Sequence, residues 1–374
     1  MINSASPTLL LTGATGLVGG ELLERLLAAD PQRRIIALTR RPAGAERLNQ
    51  NPNVTVVAAD LAQPSLGLDS ALLADLERSL TEMIHTAADI RFGLPVEQAR
   101  AANVTPTLHL LELARRCRRL QKFAHISTVY VAGRRSGVIA EERLSAHNGF
   151  LNTYQQSKYE AEELVFRFMG EVPAVIFRLS SIIGDSTTGR VRQFNHVHQL
   201  LRLLPRNVLP LAPGDPQAPV DLISSDWAVA ALAYLFENRF VPGRVYQLCA
   251  GPDASLTVSQ MIDLTVDLME SHPACRRNGR IRLPKLVTLA EYQRFVEQTR
   301  RSGDVLLNEL LRVLGYFLPH LGLFQAFENR NTAAALQGSG LALSPIRSYY
   351  DKVVRYCLDT DWGRRPERLA GNAV

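Results

Sequence analysis

Along the first half of the chain, short unbroken apolar runs alternate with longer stretches whose apolar residues return every three or four positions. "TLLLTG" precedes the helical spacing of Leu17, Val18, Leu22, Leu23, Leu26 and Leu27. "RIIALTR", "VTVVAADL" and "EMIHTAA" follow, with a Leu-rich helix over 72–80 before the last of them. A long helix over 104–119 leads to "KFAHISTVYV", and a helix over 154–168 leads to "AVIFRLSSIIG". Because the runs are apolar at successive positions, their strands need cover on both faces, as parallel strands joined by crossover helices have. The expected fold of 1–185 is therefore α/β, a Rossmann-like doubly wound parallel sheet completed by segments within 220–250.

Beyond 185 the rhythm changes to prolines and turn residues around mostly helical segments, with short strands such as "RVYQLCA". Residues 186–374 are expected to form a smaller, mostly helical substrate-binding part packed on the sheet. Ser225 or Asp226 is placed to cap one helix, and Ser344 to cap another with Pro345 at its first position. The apolar stretch over 313–327 is too short to span a bilayer and contains Pro319 and His320, so it reads as buried or interfacial and no transmembrane segment is expected. It belongs to "LLNELLRVLGYFLPHLGLFQAF", which suits either the wall or lid of an acyl channel or an ordinary helical pair.

With 374 residues and 46% hydrophobic content, the chain can bury a large core. The first nine residues show no leader pattern. Cys117, Cys249, Cys275 and Cys357 stand far apart, without the paired spacing of a zinc site, so no metal is expected and a reducing cytoplasm is the expected setting. The net charge of +6 comes from arginine, since lysine occurs only at 122, 158, 285 and 352. Arg115, Arg116, Arg118 and Arg119 cluster on a predicted helix, as a solvated face or as a surface for an acidic partner. No aromatic residues interleave with them and no recognition motif accompanies them, which argues against nucleic acid.

"TGATGLVGG" spaces Gly13, Gly16 and Gly19 as G-x-x-G-x-x-G between a strand and a helix. Gly13 allows a tight turn, Gly16 lets backbone approach a diphosphate, and Gly19 lets helix and strand pack closely, while the helix start offers free N–H groups to an anion. An acid about 20 residues on would select NAD; here "ALTRRP" supplies Arg40 and Arg41, which suit a 2′-phosphate and favour NADP(H) over NAD(H), unless one merely ends a strand. The turn contacts expected for the dinucleotide are Thr12, Gly13, Thr15, Gly16, Leu17, Val18 and Gly19. Asp60 and Leu61 follow the third strand, with Asp60 suited to the adenine amino group. Thr86, Ala87 and Ala88 in "HTAAD" run beneath the cofactor, and Ser181 in the last run is a further expected contact. His85 reads as a strand histidine with a local partner.

Tyr154 and Lys158 in "NTYQQSKYEAE" stand four apart, on one face of a helix. A neighbouring ammonium favours the phenolate and draws the phenol toward useful acid–base range. Ser127 and Thr128, at the end of the preceding strand, have hydroxyls able to hold a carbonyl beside that phenol, whereas Tyr130 reads as packing. Together these residues suit hydride transfer from a nicotinamide, with Tyr154 giving a proton to the developing oxyanion.

"TGATGLVGG", "HISTVYV" and "YQQSK" resemble the extended short-chain dehydrogenase/reductase superfamily. Within it, "IHTAADIRFGLPVEQARAANVTPTLHLLELAR" and "KFAHISTVYVAG" are most similar to the thioester-reductase and fatty acyl-CoA reductase branch. The resemblance implies Thr128, Tyr154 and Lys158 as catalytic residues, Lys158 also at the nicotinamide ribose, and Asn103 near the active site. It further implies NADPH-dependent reduction of an acyl thioester, on coenzyme A or an acidic carrier protein, to aldehyde and sometimes alcohol. Pro106 stands where the family usually has Gly, and Ser224–Asp226 where it has Pro-Val-Asp; Pro106 is tolerable in the first turn of a helix. The alternatives are a sugar-nucleotide epimerase or dehydratase or a hydroxysteroid-type dehydrogenase on the same fold, and a non-catalytic dinucleotide sensor. Dehydratases often carry Asp-Glu where Val129 and Tyr130 follow Thr128, and a pure sensor needs no proton donor.

Overall fold

The computed structural model describes residues 7–41, 48–276, 279–303, 305–316 and 318–365. Residues 1–6, part of the stretch read for a leader, and Phe317, within the Leu/Phe-rich stretch, lie outside the described residues.

Seven of the apolar runs become the strands of one sheet: β1 (Thr8–Thr12), β2 (Arg34–Thr39), β3 (Val54–Ala58), β4 (Glu82–His85), β5 (Lys122–Thr128), β6 (Ala174–Leu179) and β7 (Val245–Leu248). Their order is β7-β6-β5-β4-β1-β2-β3 and every pairing is parallel. Successive residues of a strand point to opposite faces. Leu9, Leu11, Ala124, Ile126, Val175 and Phe177 accordingly enter one apolar layer, and Leu10, Phe123, Ala174 and Ile176 the other. Helices α1 (Leu17–Ala29) and α6 (Ser225–Asn238) cover the first layer. Helices α2 (Ser70–Ser79), α3 (Val96–Arg116) and α4 (Thr153–Phe168) cover the second. This is the doubly wound architecture expected from the runs.

The strand order reverses between β1 and β4, and ligands of such sheets bind at the carboxyl ends beside that reversal. Thr12 pairs with His85, and His85 with His125, which brings those ends together. The C-terminal part supplies α5 (His196–Leu203) and helices at Val258–Ser271, Leu289–Ser302, Val305–Leu314 and Tyr350–Asp359. The second and last of these share one apolar cluster, and the two between them share another. Among the described residues no helix is long and apolar enough to cross a membrane, and all four cysteines are free and buried.

Four local expectations fail. Helix α3 starts about two turns before 104, so Pro106 lies in its interior rather than in its first turn; the lost donor leaves the Ala102 carbonyl without its helical partner. Arg118 and Arg119 fall beyond the helix end at Arg116. The cap of α6 is Ser224 by position, since Asp226 instead accepts from the Ser186 backbone N–H (2.8 Å) and hydroxyl (2.6 Å). Pro345 precedes a short 3₁₀ turn at Ile346–Ser348, and the helix proper begins at Tyr350, so Ser344 caps nothing.

One buried ion pair ties α4 to the sheet. Arg178 of β6 donates to Glu162 through Nε (3.0 Å) and Nη2 (2.8 Å), with side chains 0% and 2% exposed. Removing one partner strands the other's charge in the core, which costs about 3–5 kcal/mol. Arg178→Met should therefore lower unfolding stability by that amount in a denaturant titration, whereas a loss below about 1 kcal/mol would show that the pair contributes little.

Candidate active site

At the carboxyl edge the chain leaves β1 through the glycine turn. Gly13 adopts φ +73°, and a Cβ there would lie 2.3 Å from Thr86 Oγ1. A Cβ on Gly19 would lie 2.3 Å from the Gly13 carbonyl oxygen and 2.6 Å from Thr86 Oγ1, so α1 presses directly onto the turn and the end of β4. A Cβ on Gly16 would meet only the Gly13 carbonyl, at 3.3 Å, which leaves that side of the backbone open. Gly16 gives α1 no side-chain cap, and the first turn contains no acid, so the N-terminal N–H groups remain suited to an anion. Thr15 and Gly16 are exposed, and Leu17 and Val18 half-buried, around this turn.

The other expected dinucleotide contacts frame the same crevice. Thr86 donates to the Thr12 carbonyl (2.7 Å), and the Ala87 N–H to Thr12 Oγ1 (3.3 Å), while Ala88 is exposed beyond them. Asp60 closes its own turn by accepting from the Ala62 N–H at 3.1 Å, and the Leu61 carbonyl meets the His109 ring at 2.9 Å. Arg40 and Arg41 are exposed at the end of β2 and form no ion pair with any described residue. The charge of Arg40 helps hold the Asp89 carboxyl low, after the larger effect of the hydrogen bond from Arg91. The ends of β2 and β4 therefore face one another across the crevice. A dinucleotide fits this edge: an open glycine backbone, an uncapped helix start and two cations a strand away.

Asn103 is fully engaged. Its Oδ1 accepts from the Asp89 N–H (2.7 Å), and its Nδ2 donates to the Asp89 carbonyl (3.0 Å) and to Ser157 Oγ (2.9 Å). It thus ties the segment after β4 to the helix that carries Tyr154. His85 is a strand histidine with local partners. Thr107 gives its hydroxyl proton to the Asn103 carbonyl, so its oxygen accepts from His85 Nε2 (3.2 Å), and Nδ1 accepts from Thr12 (2.8 Å). Burial, with the nearby Lys158 ammonium, pushes this imidazole down to about 3.

Thr128, Tyr154 and Lys158 come together where β5 meets α4. Asn152 caps α4 by accepting from the Gln155 N–H at 3.0 Å, which fixes the turn bearing Tyr154. The phenol lies beside the Thr128 hydroxyl and stacks on Phe92 at 5.3 Å between ring centroids. Burial pushes the phenol up to about 12, against the smaller lowering effect of Thr128. Lys158 lies one turn further along and reaches down to β5, donating to the Ile126 carbonyl (2.8 Å) and to His125 Nε2 (3.2 Å). The expected lowering of the phenol by the ammonium is therefore replaced by a desolvated, raised phenol. The Lys158 ammonium is itself pushed down to about 8 by burial, partly opposed by Glu162.

The substrate side holds residues that motif reading missed. Tyr130 does more than pack, since its hydroxyl meets Ser181 Oγ at 2.8 Å and His196 Nε2 at 3.2 Å. Ser181 therefore faces this network. His320 brings the Leu/Phe-rich stretch to the site, accepting from Asn152 Nδ2 at 3.3 Å with its ring 4.8 Å from that of Tyr130 and 5.7 Å from that of Phe92. Phe92, Tyr130, His196 and His320 thus wall the site with rings beside Tyr154. Burial keeps both imidazoles neutral, pushing His196 to about 3 and His320 to about 4. Only the presence of His320 inside an apolar run signalled this in the sequence.

The arginine cluster lies elsewhere. Arg115 faces Glu171 (3.6 Å) and Arg116 faces Glu77 (2.7 Å). The cluster precedes β5, whose seven residues place it about 20 Å from Thr128, at the opposite edge of the sheet. That position fits a solvated face better than a surface serving the site.

Residues 11–232 match an NAD-binding family model described as male sterility protein. The chain is 34% identical over 236 residues to an isonitrile lipopeptide synthase of Streptomyces coeruleorubidus, covering 58% of this chain and 16% of that protein. It is 24% identical over 324 residues to a Drosophila melanogaster protein named for fatty acyl-CoA reductase activity, covering 72% of this chain and 60% of that one. The chain thus spans less than two thirds of these relatives. In structure it is similar to the terminal R domain from the myxalamid PKS-NRPS biosynthetic pathway, with TM-score 0.77, 26% identity, and 98% of this chain and 94% of that chain covered. The resemblance read from the motifs and these similarities coincide.

Gly19→Ala should weaken nicotinamide dinucleotide binding at least about tenfold in a fluorescence titration, because its Cβ has no room beside the Gly13 carbonyl. Unchanged affinity would mean that the turn does not face the dinucleotide.

Proposed function

The chain belongs to the male sterility protein family, within the extended short-chain dehydrogenase/reductase oxidoreductases, and on that premise we propose that it reduces an acyl thioester to an aldehyde with NADPH. The observation that carries this reading is the convergence of Thr128, Tyr154 and Lys158 at the carboxyl edge of the sheet. On this reading, 1–185 with the strand at Val245–Leu248 hold the dinucleotide and 186–374 shape the acyl site.

When bound, the nicotinamide supplies the hydride. Thr128 and Tyr154 orient the thioester carbonyl between their hydroxyls. A phenol pushed up to about 12 keeps its proton at neutral pH and yields it only to a stronger base, the oxyanion that forms as the carbonyl carbon is reduced. Collapse of the resulting hemithioacetal returns the hydroxyl proton to the phenolate and breaks the C–S bond, releasing aldehyde and a thiolate that takes a proton from solvent. Lys158, cationic below about pH 8, serves the nicotinamide ribose and stabilises charge near the phenol. The rings of Phe92, Tyr130, His196 and His320 shield the reacting carbonyl from water. The same residues serve a second reduction on to alcohol. Coenzyme A and a carrier protein both present the pantetheine thioester that this chemistry needs, and Arg40 and Arg41 suit the 2′-phosphate of NADPH.

Purified protein should oxidise NADPH with acyl-CoA or acyl-pantetheine thioesters, and Tyr154→Phe should lower turnover by about two orders of magnitude while leaving NADPH affinity intact. Turnover confined to a sugar nucleotide or a steroid would overturn the thioester reading. Replacing Arg40 and Arg41 together by Ser should weaken NADPH about tenfold or more relative to NADH, as expected for lost charge-assisted contacts. An unchanged ratio of the two dissociation constants would remove the arginines from 2′-phosphate recognition.

A further inference from the structure

Lys158 is gripped from below. Its Nζ donates to the Ile126 carbonyl at 2.8 Å and to His125 Nε2 at 3.2 Å, and the two side chains are 2% and 0% exposed. An ammonium has three N–H donors; two are used on β5, which leaves one. An imidazole accepts at Nε2 only when it is neutral and carries its proton on Nδ1. That Nδ1 has no hydrogen-bond partner.

A buried donor without a partner opposes folding. An apolar ring or chain would fill the same space without that penalty, so packing alone does not account for a histidine here. A protonated His125 would set two cations 3.2 Å apart in a dry interior. The other groups facing Lys158 are His85 on β4, whose ring centroid lies 5.4 Å from that of His125, Tyr154 one turn earlier on α4, and Glu162 one turn later. Glu162 is in turn paired with Arg178 of β6. Burial first, and the ammonium second, hold both imidazoles low, so each is neutral whenever Lys158 is charged.

We propose that His125 is a positioning residue, a neutral acceptor that fixes the Lys158 ammonium against β5 and leaves one N–H for a bound nicotinamide dinucleotide. The inference rests on the reading that Lys158 serves that dinucleotide. It does not depend on which substrate is reduced. His125 also favours the charged form of Lys158, because its lone pair faces the ammonium.

The test is a fluorescence titration with NADPH from pH 6 to 9.5 on the full chain and on His125→Leu, His125→Met and His125→Gln, with a thermal melt of each. In the parent, affinity falls as pH rises through about 8, where Lys158 loses its charge. His125→Leu should weaken NADPH about tenfold at pH 7 and move that fall about one unit lower, since the lost acceptor favours the neutral amine. Met has similar reach and no strong acceptor, and replaces Leu in the comparison if the Leu variant does not fold. His125→Gln keeps an acceptor oxygen and should hold the fall in place, with affinity within about threefold of the parent. If the apolar and Gln variants show the same pH position as the parent, His125 is a packing residue and the proposal fails, whatever happens to their melting temperatures. Failure of the parent to bind NADPH overturns the dinucleotide reading before any variant is compared, and failure to turn over thioesters overturns only the substrate.

Discussion

The close approach of α1 to the end of β1 governs this molecule. Gly19 rests on the Gly13 carbonyl and on Thr86 with no space for a methyl group, so the first helix, the first strand and the strand beyond the reversal of the sheet are locked at one point. Loosen that contact and the crevice between β1 and β4 loses its shape. From this corner the strand register sets the rest: Thr12 lies beside His85, His85 beside His125, and three residues further along β5 Thr128 emerges at the edge. Thr12, His85, His125 and Thr128 are thus held by backbone pairing rather than by loops.

A second layer of order lies beneath the first. Tyr154, Lys158 and Glu162 recur at four-residue intervals on α4, and each meets a different neighbour: Thr128, His125 and Arg178. The upper contact lies at the carboxyl edge of the sheet, the middle one is dry, and the lowest is a fully buried ion pair. Along one helix face the environment therefore passes from the edge of the crevice to the core within about 12 Å, from the 1.5 Å rise per residue. This gradient raises the phenol and lowers the ammonium together, and both shifts come mainly from loss of water rather than from mutual attraction.

Much of this was legible in the sequence, for definable reasons. Buried parallel strands must be apolar at successive positions, so the runs disclosed the sheet, and the glycines before Leu17 disclosed the turn that no other residue type could make. A four-residue interval places Tyr154 and Lys158 on one face in any helix. What sequence could not disclose was contact across long separations. His320 reaches Asn152 over 168 residues, and His196 reaches Tyr130 over 66. Local rules also misled: Pro106 argued for a helix start, yet α3 accepts it in its interior, and Ser344 looked like a cap because a 3₁₀ turn and a helix begin with similar residues. Arg118 and Arg119 belonged to no helix face, since the helix ends before them.

The ring wall is built from segments far apart in the sequence. Phe92 and Tyr130 flank β5, but His320 leans on the cap of α4 from a segment 168 residues beyond Asn152. The sheet can therefore form its crevice without this segment, while the ring wall closes only when the segment docks on α4. A chain truncated ahead of that segment would keep the open edge of the sheet yet lose one ring from the wall beside Tyr154.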